Sequence, residues 1–255
     1  MEKYGLGMKE LVTVPDAAEL ARYAAARVAA IVSAVPEGRD VTVALSGGNT
    51  PKALYELLST DPERRLIGWE RANFFFGDER LVPADSSASN YRMANDALLR
   101  PLGIDDARIF RWRTELEDPE LIASDYENQL DSYFHGLPKF DLFLLGLGDD
   151  GHTASLFPKT AALAESERFA VPNRVPKLDT WRLTLTFPVI NNSSNIVFLV
   201  SGSAKAAVLK DVLEGPFDPD SFPAQMVQPF DGDLLWLADR DAAERLNKNA
   251  FTIHN

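Results

Sequence analysis

VTVALSGGNTPKALYELL, residues 41–58, decides how this chain is read. VTVAL is an uninterrupted run of strand-forming residues, SGGNTP is a small polar turn, and KALYELL returns the spacing of an amphipathic helix. A strand without polar alternation suits a position covered on both faces. The unit recurs along the chain. ANFFF (72–76) runs into GDERLVP and then SNYRMANDALL, and FDLFLLG (140–146) into LGDDGHTASLF. NIVFLV (195–200) runs into SGSAKAAVLKDVL, and DLLWLA (233–238) into DRDAAERL. Apolar strands alternating with helices predict an α/β fold with a parallel sheet.

Two further helices fit 16–34 and 119–134, the second with Asp118 as cap and Pro119 in its first position. WRLTLTFPVI (181–190) alternates Arg182, Thr184 and Thr186 with Leu183, Leu185 and Phe187, the pattern of a half-exposed strand. VPNRVPK (171–177) reads as a surface loop, with a lid as the second reading. With no internal repeat and no linker, the 255 residues are expected to form one domain, 1–255.

Composition narrows the function. Apolar residues at 45% and charged residues at 25% suit a soluble protein with a full core. A net charge of −12 argues against nucleic acid or an anionic membrane surface as partner. It leaves room for a small anion, because a few Arg and Lys in a cleft reverse the local sign. The absence of cysteine excludes disulfides, thiolate metal sites and a cysteine nucleophile. MEKYGLGMKE lacks the apolar stretch of a signal peptide, so a cytoplasmic location is expected.

Ligands of open α/β sheets bind beyond the carboxyl ends of the strands, and four unusual clusters fall there. In SGGNTP, Gly47 and Gly48 allow a sharp turn, Thr50 is expected to cap the helix and Pro51 to open it. The loop reads as an anion site at a helix start or as a plain βα turn. SGSAK puts Lys205 in the first turn of a helix, where the dipole disfavours a cation unless an anion binds nearby; a solvated lysine is the other reading. Arg182 is either a third anion contact or an exposed strand-edge residue. GDER offers Asp78 and Glu79 as orienting carboxylates and Arg80 as an oxyanion or anion clamp, against a surface ion-pair network.

GDDGHT holds one of only three histidines. His135 falls at a helix end and His254 in the C-terminal tail, whereas His152 follows a tight turn at Gly151 with Asp150 close enough to orient its ring. An Asp–His pair can serve as general base toward water. No zinc-ligand spacing surrounds it, and no G-x-S-x-G elbow is present for a serine nucleophile.

Together ALSGGNTP, FFFGDERLVP with SNYRMA, LGLGDDGHTASLFP, RLTLTFPVIN and VSGSAKA resemble the 6-phosphogluconolactonase family, within the wider group of sugar-phosphate isomerases and glucosamine-6-phosphate deaminases. GDDGHTASLFP is the most specific piece. The resemblance implies a three-layer, doubly wound α/β/α domain with a mainly parallel sheet. It also implies hydrolysis of 6-phospho-D-glucono-1,5-lactone in the oxidative pentose phosphate pathway, with no metal or cofactor. A monomer or small homo-oligomer acting on a small sugar-phosphate lactone is expected. Carried onto this chain, it makes His152 the general base, with Asp150, Arg80 and Asp78 completing the catalytic set. Ser46, Gly47, Gly48, Asn49, Thr50, Arg182 and Lys205 would hold the phosphate. Asn49 and Lys159 stand where the family often has Ser and Gly.

Two rivals are weaker. The related deaminases carry a Glu five positions after the motif histidine, and here that position is Phe157. A non-catalytic sugar-phosphate sensor would need a DNA-binding module, for which the stretch ahead of the first expected strand at 41 is short.

Overall fold

A computed structural model of the chain describes residues 9–61 and 67–247. In chain order, β1 (Lys9–Val14) and α1 (Ala17–Ala34) are followed by β2 (Val41–Leu45), α2 (Asn49–Thr60), β3 (Ala72–Phe76) and β4 (Asp78–Arg80). Next, α3 (Asn90–Ala94) runs through a π-helical stretch (Asn95–Leu99) into α4 (Arg100–Leu102). Then come α5 (Pro119–Phe134), β5 (Leu142–Gly146), β6 (Ala170–Val175), β7 (Thr180–Leu185) and α6 (Phe187–Asn191). The remaining elements are β8 (Asn195–Val200), α7 (Ala206–Glu214) and β9 (Asp233–Asp239).

Six strands form one sheet in the order β1-β9-β8-β5-β2-β3, and every pair is parallel. β2 and β3 are buried at every position, as their unbroken apolar sequences require. The chain winds from β2 to β3 in one direction and through β5, β8 and β9 in the other. The order therefore reverses between β2 and β5, and a crevice opens at the carboxyl ends of strands at such a reversal.

The expected helices at 16–34 and 119–134 are present with their caps. Asp16 accepts from the Glu19 amide, and Asp118 accepts from the amides of Glu120 and Leu121. His135 closes α5 in the left-handed conformation, as a helix-end residue. His254 lies outside the described residues.

Several expectations need correction. The sheet begins earlier than 41: KELVTV forms the edge strand β1 on β9, a segment whose polar Lys9, Glu10 and Thr13 leave no continuous apolar run to stand out by pattern. At SGGNTP the helix starts at Asn49, so Gly48 is the cap residue and Thr50 lies inside the first turn. Tyr55 draws the helix start upward, because its hydroxyl donates to the Ser46 carbonyl (2.9 Å) and accepts from the Ser46 amide (3.0 Å). Gly48, at φ 105°, makes the turn this requires.

VPNRV (171–175) is strand rather than loop, and Pro176 and Lys177 open a 3-10 turn. β6 pairs antiparallel with β7, which pairs with β4 in a second, three-stranded sheet. Pro172 is tolerated because β6 is an edge. β7 is not half-exposed through its length. Thr184 and Thr186 are fully buried: Thr184 Oγ1 accepts from the Ser155 amide of the loop after β5, and the two hydroxyls donate to the carbonyls of Leu185 and Arg168. FPVIN then turns helical, with Pro188 in the first turn. DRDAAERL makes turns held by Asp239, which accepts from the Ala242 amide, instead of a helix.

Gly77 joins the two sheets. Its amide donates to Leu45 at the end of β2, and its carbonyl accepts from Leu185 of β7 (both 2.9 Å). That junction hangs the small sheet over the carboxyl ends of β2 and β5.

Candidate active site

The crevice at the strand reversal is a cleft of about 430 Å³. Ser46, Gly47 and Gly48 reach it from β2, and Asp78 and Arg80 from β4. The loop after β5 contributes residues from Gly148 to Phe157, β7 contributes Arg182, and the start of α7 contributes Lys205. Three of the four predicted clusters thus meet through several residues each, and SGSAK through Lys205 alone. Ser201 and the Gly202 amide are already bonded to the buried Asp239. Asn49 and Thr50 lie in the first turn of α2 and do not line the cleft. No side chain caps that helix, so its first amides remain open to an anion.

His152 is held on three sides. Asp150 Oδ1 lies 2.5 Å from Nδ1. The Phe157 ring stacks on the imidazole, with centroids 4.0 Å apart and planes 24° apart. Gly148 lies so close beneath that a Cβ there would sit 2.0 Å from Nδ1. The loop turns back on itself through the Gly148 amide, which donates to the His152 carbonyl (2.8 Å).

Asp150 also accepts from Lys177 Nζ (3.0 Å) at Oδ2. The hydrogen bond from His152, reinforced by Lys177 against the cost of burial, holds the Asp150 carboxyl well below the usual carboxylate range. An ionised carboxylate can only accept, so Nδ1 carries the proton and the Nε2 lone pair is left free. Among the described residues Nε2 has no partner.

Asp78 lines the same cleft but does not orient the histidine. It is buried, accepting from Ser155 Oγ (2.6 Å) and from Asn90 Nδ2 (3.0 Å). Glu79 points away and is structural. Its carboxylate accepts from the amides of Arg80, Asn90 and Tyr91 and from the Ser89 hydroxyl. Burial pushes its pKa up against those four donors.

Arg80 and Arg182 face each other across the β4–β7 pair. Arg80 donates to the Ala88 carbonyl, and Arg182 to Thr180 Oγ1 and the Trp181 carbonyl. Neither has a carboxylate ion-pair partner among the described residues. Burial first, and Arg80 next, lower the Arg182 pKa. The charges of Asp78 and Glu79 act on Arg182 in the opposite sense. Lys205 is paired with Asp149.

Sequence reading missed Lys177, Asn90 and Ser155 as cleft residues. Asn90 and Ser155 lay inside quoted motifs, whereas a lone lysine after Pro176, in a stretch read as a loop, carried no signal. Lys159, at φ 57°, takes the left-handed backbone that a glycine would adopt more cheaply. Among the described residues no group of three or more His, Asp or Glu is arranged to hold a metal, and no helix is long and apolar enough to cross a membrane.

Residues 15–236 match the family described as glucosamine-6-phosphate isomerases/6-phosphogluconolactonase. The chain is 45% identical over 220 residues to a 6-phosphogluconolactonase of Synechocystis sp., covering 85% of this chain and 89% of the relative. Its fold is similar to that of 6-phosphogluconolactonase from Trypanosoma cruzi, with a TM-score of 0.82 and 30% identity over 96% of this chain and 100% of the other. A monomeric glucosamine-6-phosphate deaminase is also similar, with a TM-score of 0.78 and 25% identity over 92% and 99%.

Proposed function

The chain belongs to the glucosamine-6-phosphate isomerase/6-phosphogluconolactonase family, and from that premise we propose that it hydrolyses 6-phospho-D-glucono-1,5-lactone to 6-phosphogluconate, with His152 activating the water. The observation that carries this reading is the Asp150–His152 pair, which leaves Nε2 free in a cleft that also holds two unpaired arginines.

Water held on Nε2 gives up a proton as its oxygen attacks the lactone carbonyl carbon. The carbonyl becomes a tetrahedral oxyanion while His152 becomes imidazolium, stabilised by Asp150. Collapse re-forms the carbonyl and breaks the bond to the ring oxygen, which takes the proton back from Nε2. A positioned base of this kind contributes on the order of 10²–10⁴ in rate. The phosphate would lie on Arg182, Lys205 and the turn at Ser46–Gly48, the cationic side of an otherwise acidic protein.

Deamination fits the site less well. Phe157 occupies the position of the deaminase acid, and its ring is stacked on His152 with no proton to give.

The test is a lactonase assay on freshly generated phosphogluconolactone, corrected for spontaneous hydrolysis. Wild type is expected to turn over, and His152→Ala to lose at least about a hundredfold in kcat with little change in KM. No ammonia is expected from glucosamine 6-phosphate. A folded His152→Ala protein with most of its turnover would sink the assignment of the base, and ammonia release would sink the choice of reaction.

A further inference from the structure

Lys205 is not a free cation in the cleft. Its ammonium contacts a carboxylate oxygen of Asp149, the acid of the GDDGHT turn that His152 does not use. The lysine side chain is 25% exposed and the aspartate 77%, so the pair sits at the mouth with the carboxylate outermost. No other bond to the Asp149 carboxylate is found among the described residues.

We propose that Asp149 is a built-in competitor for the substrate phosphate, occupying Lys205 until a phosphorylated ligand displaces it and so setting the affinity for that class of ligand. This rests on the reading of Lys205 as a phosphate contact.

The charges in the cleft support it. Four cations, Arg80, Lys177, Arg182 and Lys205, face three carboxylates, Asp78, Asp149 and Asp150. Two of the carboxylates are committed: Asp78 is buried on Ser155 and Asn90, and Asp150 is shared by His152 and Lys177. Asp149 alone is exposed, held by a single contact and able to swing out. With a neutral imidazole the cleft carries one net positive charge, and removing Asp149 would leave two.

An exposed ion pair is weak, so a dianion can displace the carboxylate. The displaced carboxylate nevertheless stays on the same short turn, where it repels the phosphate through solvent-screened Coulomb terms. A turn that brings a carboxylate to a lysine at the cleft mouth thus works against tight binding of the phosphorylated product as well as of the substrate.

The measurement is calorimetric titration of inorganic phosphate, and separately of 6-phosphogluconate, into the full chain. Asp149→Asn and Asp149→Ala are expected to bind both about three- to tenfold more tightly at low salt, with the gain shrinking as salt screens it. Lys205→Ala should bind both at least about tenfold more weakly, and adding Asp149→Asn to it should restore little.

Unchanged or weaker phosphate binding in both Asp149 variants, with Lys205→Ala weakened as expected, would overturn the competitor role and leave the phosphate pocket standing. Undiminished phosphate binding by Lys205→Ala would overturn the pocket itself.

Discussion

Asp150→Asn keeps the outline of the side chain and removes its charge. In the folded protein Oδ1 lies 2.5 Å from His152 Nδ1, and Oδ2 lies 3.0 Å from Lys177 Nζ. As His152 takes the proton of water, a neutral donor facing a carboxylate becomes an ion pair. Asparagine cannot supply that gain. A charge-assisted hydrogen bond is worth about 1.5–3 kcal/mol, and with side chains only 26% and 24% exposed this pair is partly shielded from solvent. Lost only as the imidazolium forms, that energy corresponds to a fall of roughly ten- to 150-fold in kcat. KM should move by no more than about twofold, because the proposed phosphate contacts are other residues of the cleft. An amide that turned its NH₂ toward Nδ1 would put the proton on Nε2 and deepen the loss.

The assay is steady-state kinetics on fresh phosphogluconolactone, beside denaturant unfolding across pH. The folded-state pKa of Asp150 is depressed, chiefly by the His152 hydrogen bond. Its stabilising contribution is therefore present above the unfolded value of about 3.9 and is lost as pH falls through the lower folded value. The stability gap between wild type and Asp150→Asn should shrink as pH falls below about 4 toward the depressed folded value of Asp150. A folded Asp150→Asn protein that kept more than half its kcat, or that raised KM with kcat intact, would refute the assignment of Asp150 to the imidazole.

Two further outcomes are expected. Arg182→Ala should cost about ten- to 150-fold in kcat/KM on the phosphorylated lactone and little on unphosphorylated gluconolactone; equal losses would place Arg182 in the reaction centre or the fold. Its melting temperature should not fall, because removing it ends the partial burial of a guanidinium and its repulsion with Arg80. In Glu79→Gln, the amide would face Ser89, whose hydroxyl can accept, leaving the Tyr91 amide without a partner. That stranded donor costs about 1–3 kcal/mol, or a drop in melting temperature of roughly 2–12 °C by calorimetry. An unchanged melting temperature would show that Glu79 does not hold the small sheet to α3.

The parallel sheet was legible because its signals are local. VTVAL, ANFFF and FDLFLLG need only their own composition to mark strands buried on both faces, and Asp118 with Pro119 marks a helix start unaided. The second sheet was legible only in part. The alternation in WRLTL marks β7, whereas Pro172 hid β6, and the burial of Thr184 and Thr186 follows from packing that no local pattern shows.

The candidate site divides along the same line. By itself the sequence determined that four polar turns follow four strands, that one of them holds an imidazole beside two acids, and that Phe157 replaces a proton donor. Only the tertiary structure decided which acid serves the histidine, that Asp78 is committed to Ser155 and Asn90, and that Arg80 faces Arg182 without a counter-ion. It alone brought Lys177 to Asp150 and Asp149 to Lys205. Turn and strand preferences are properties of neighbouring residues along the chain. The partner of a charge is set by which strands lie side by side, and that order is fixed by the burial of the whole sheet.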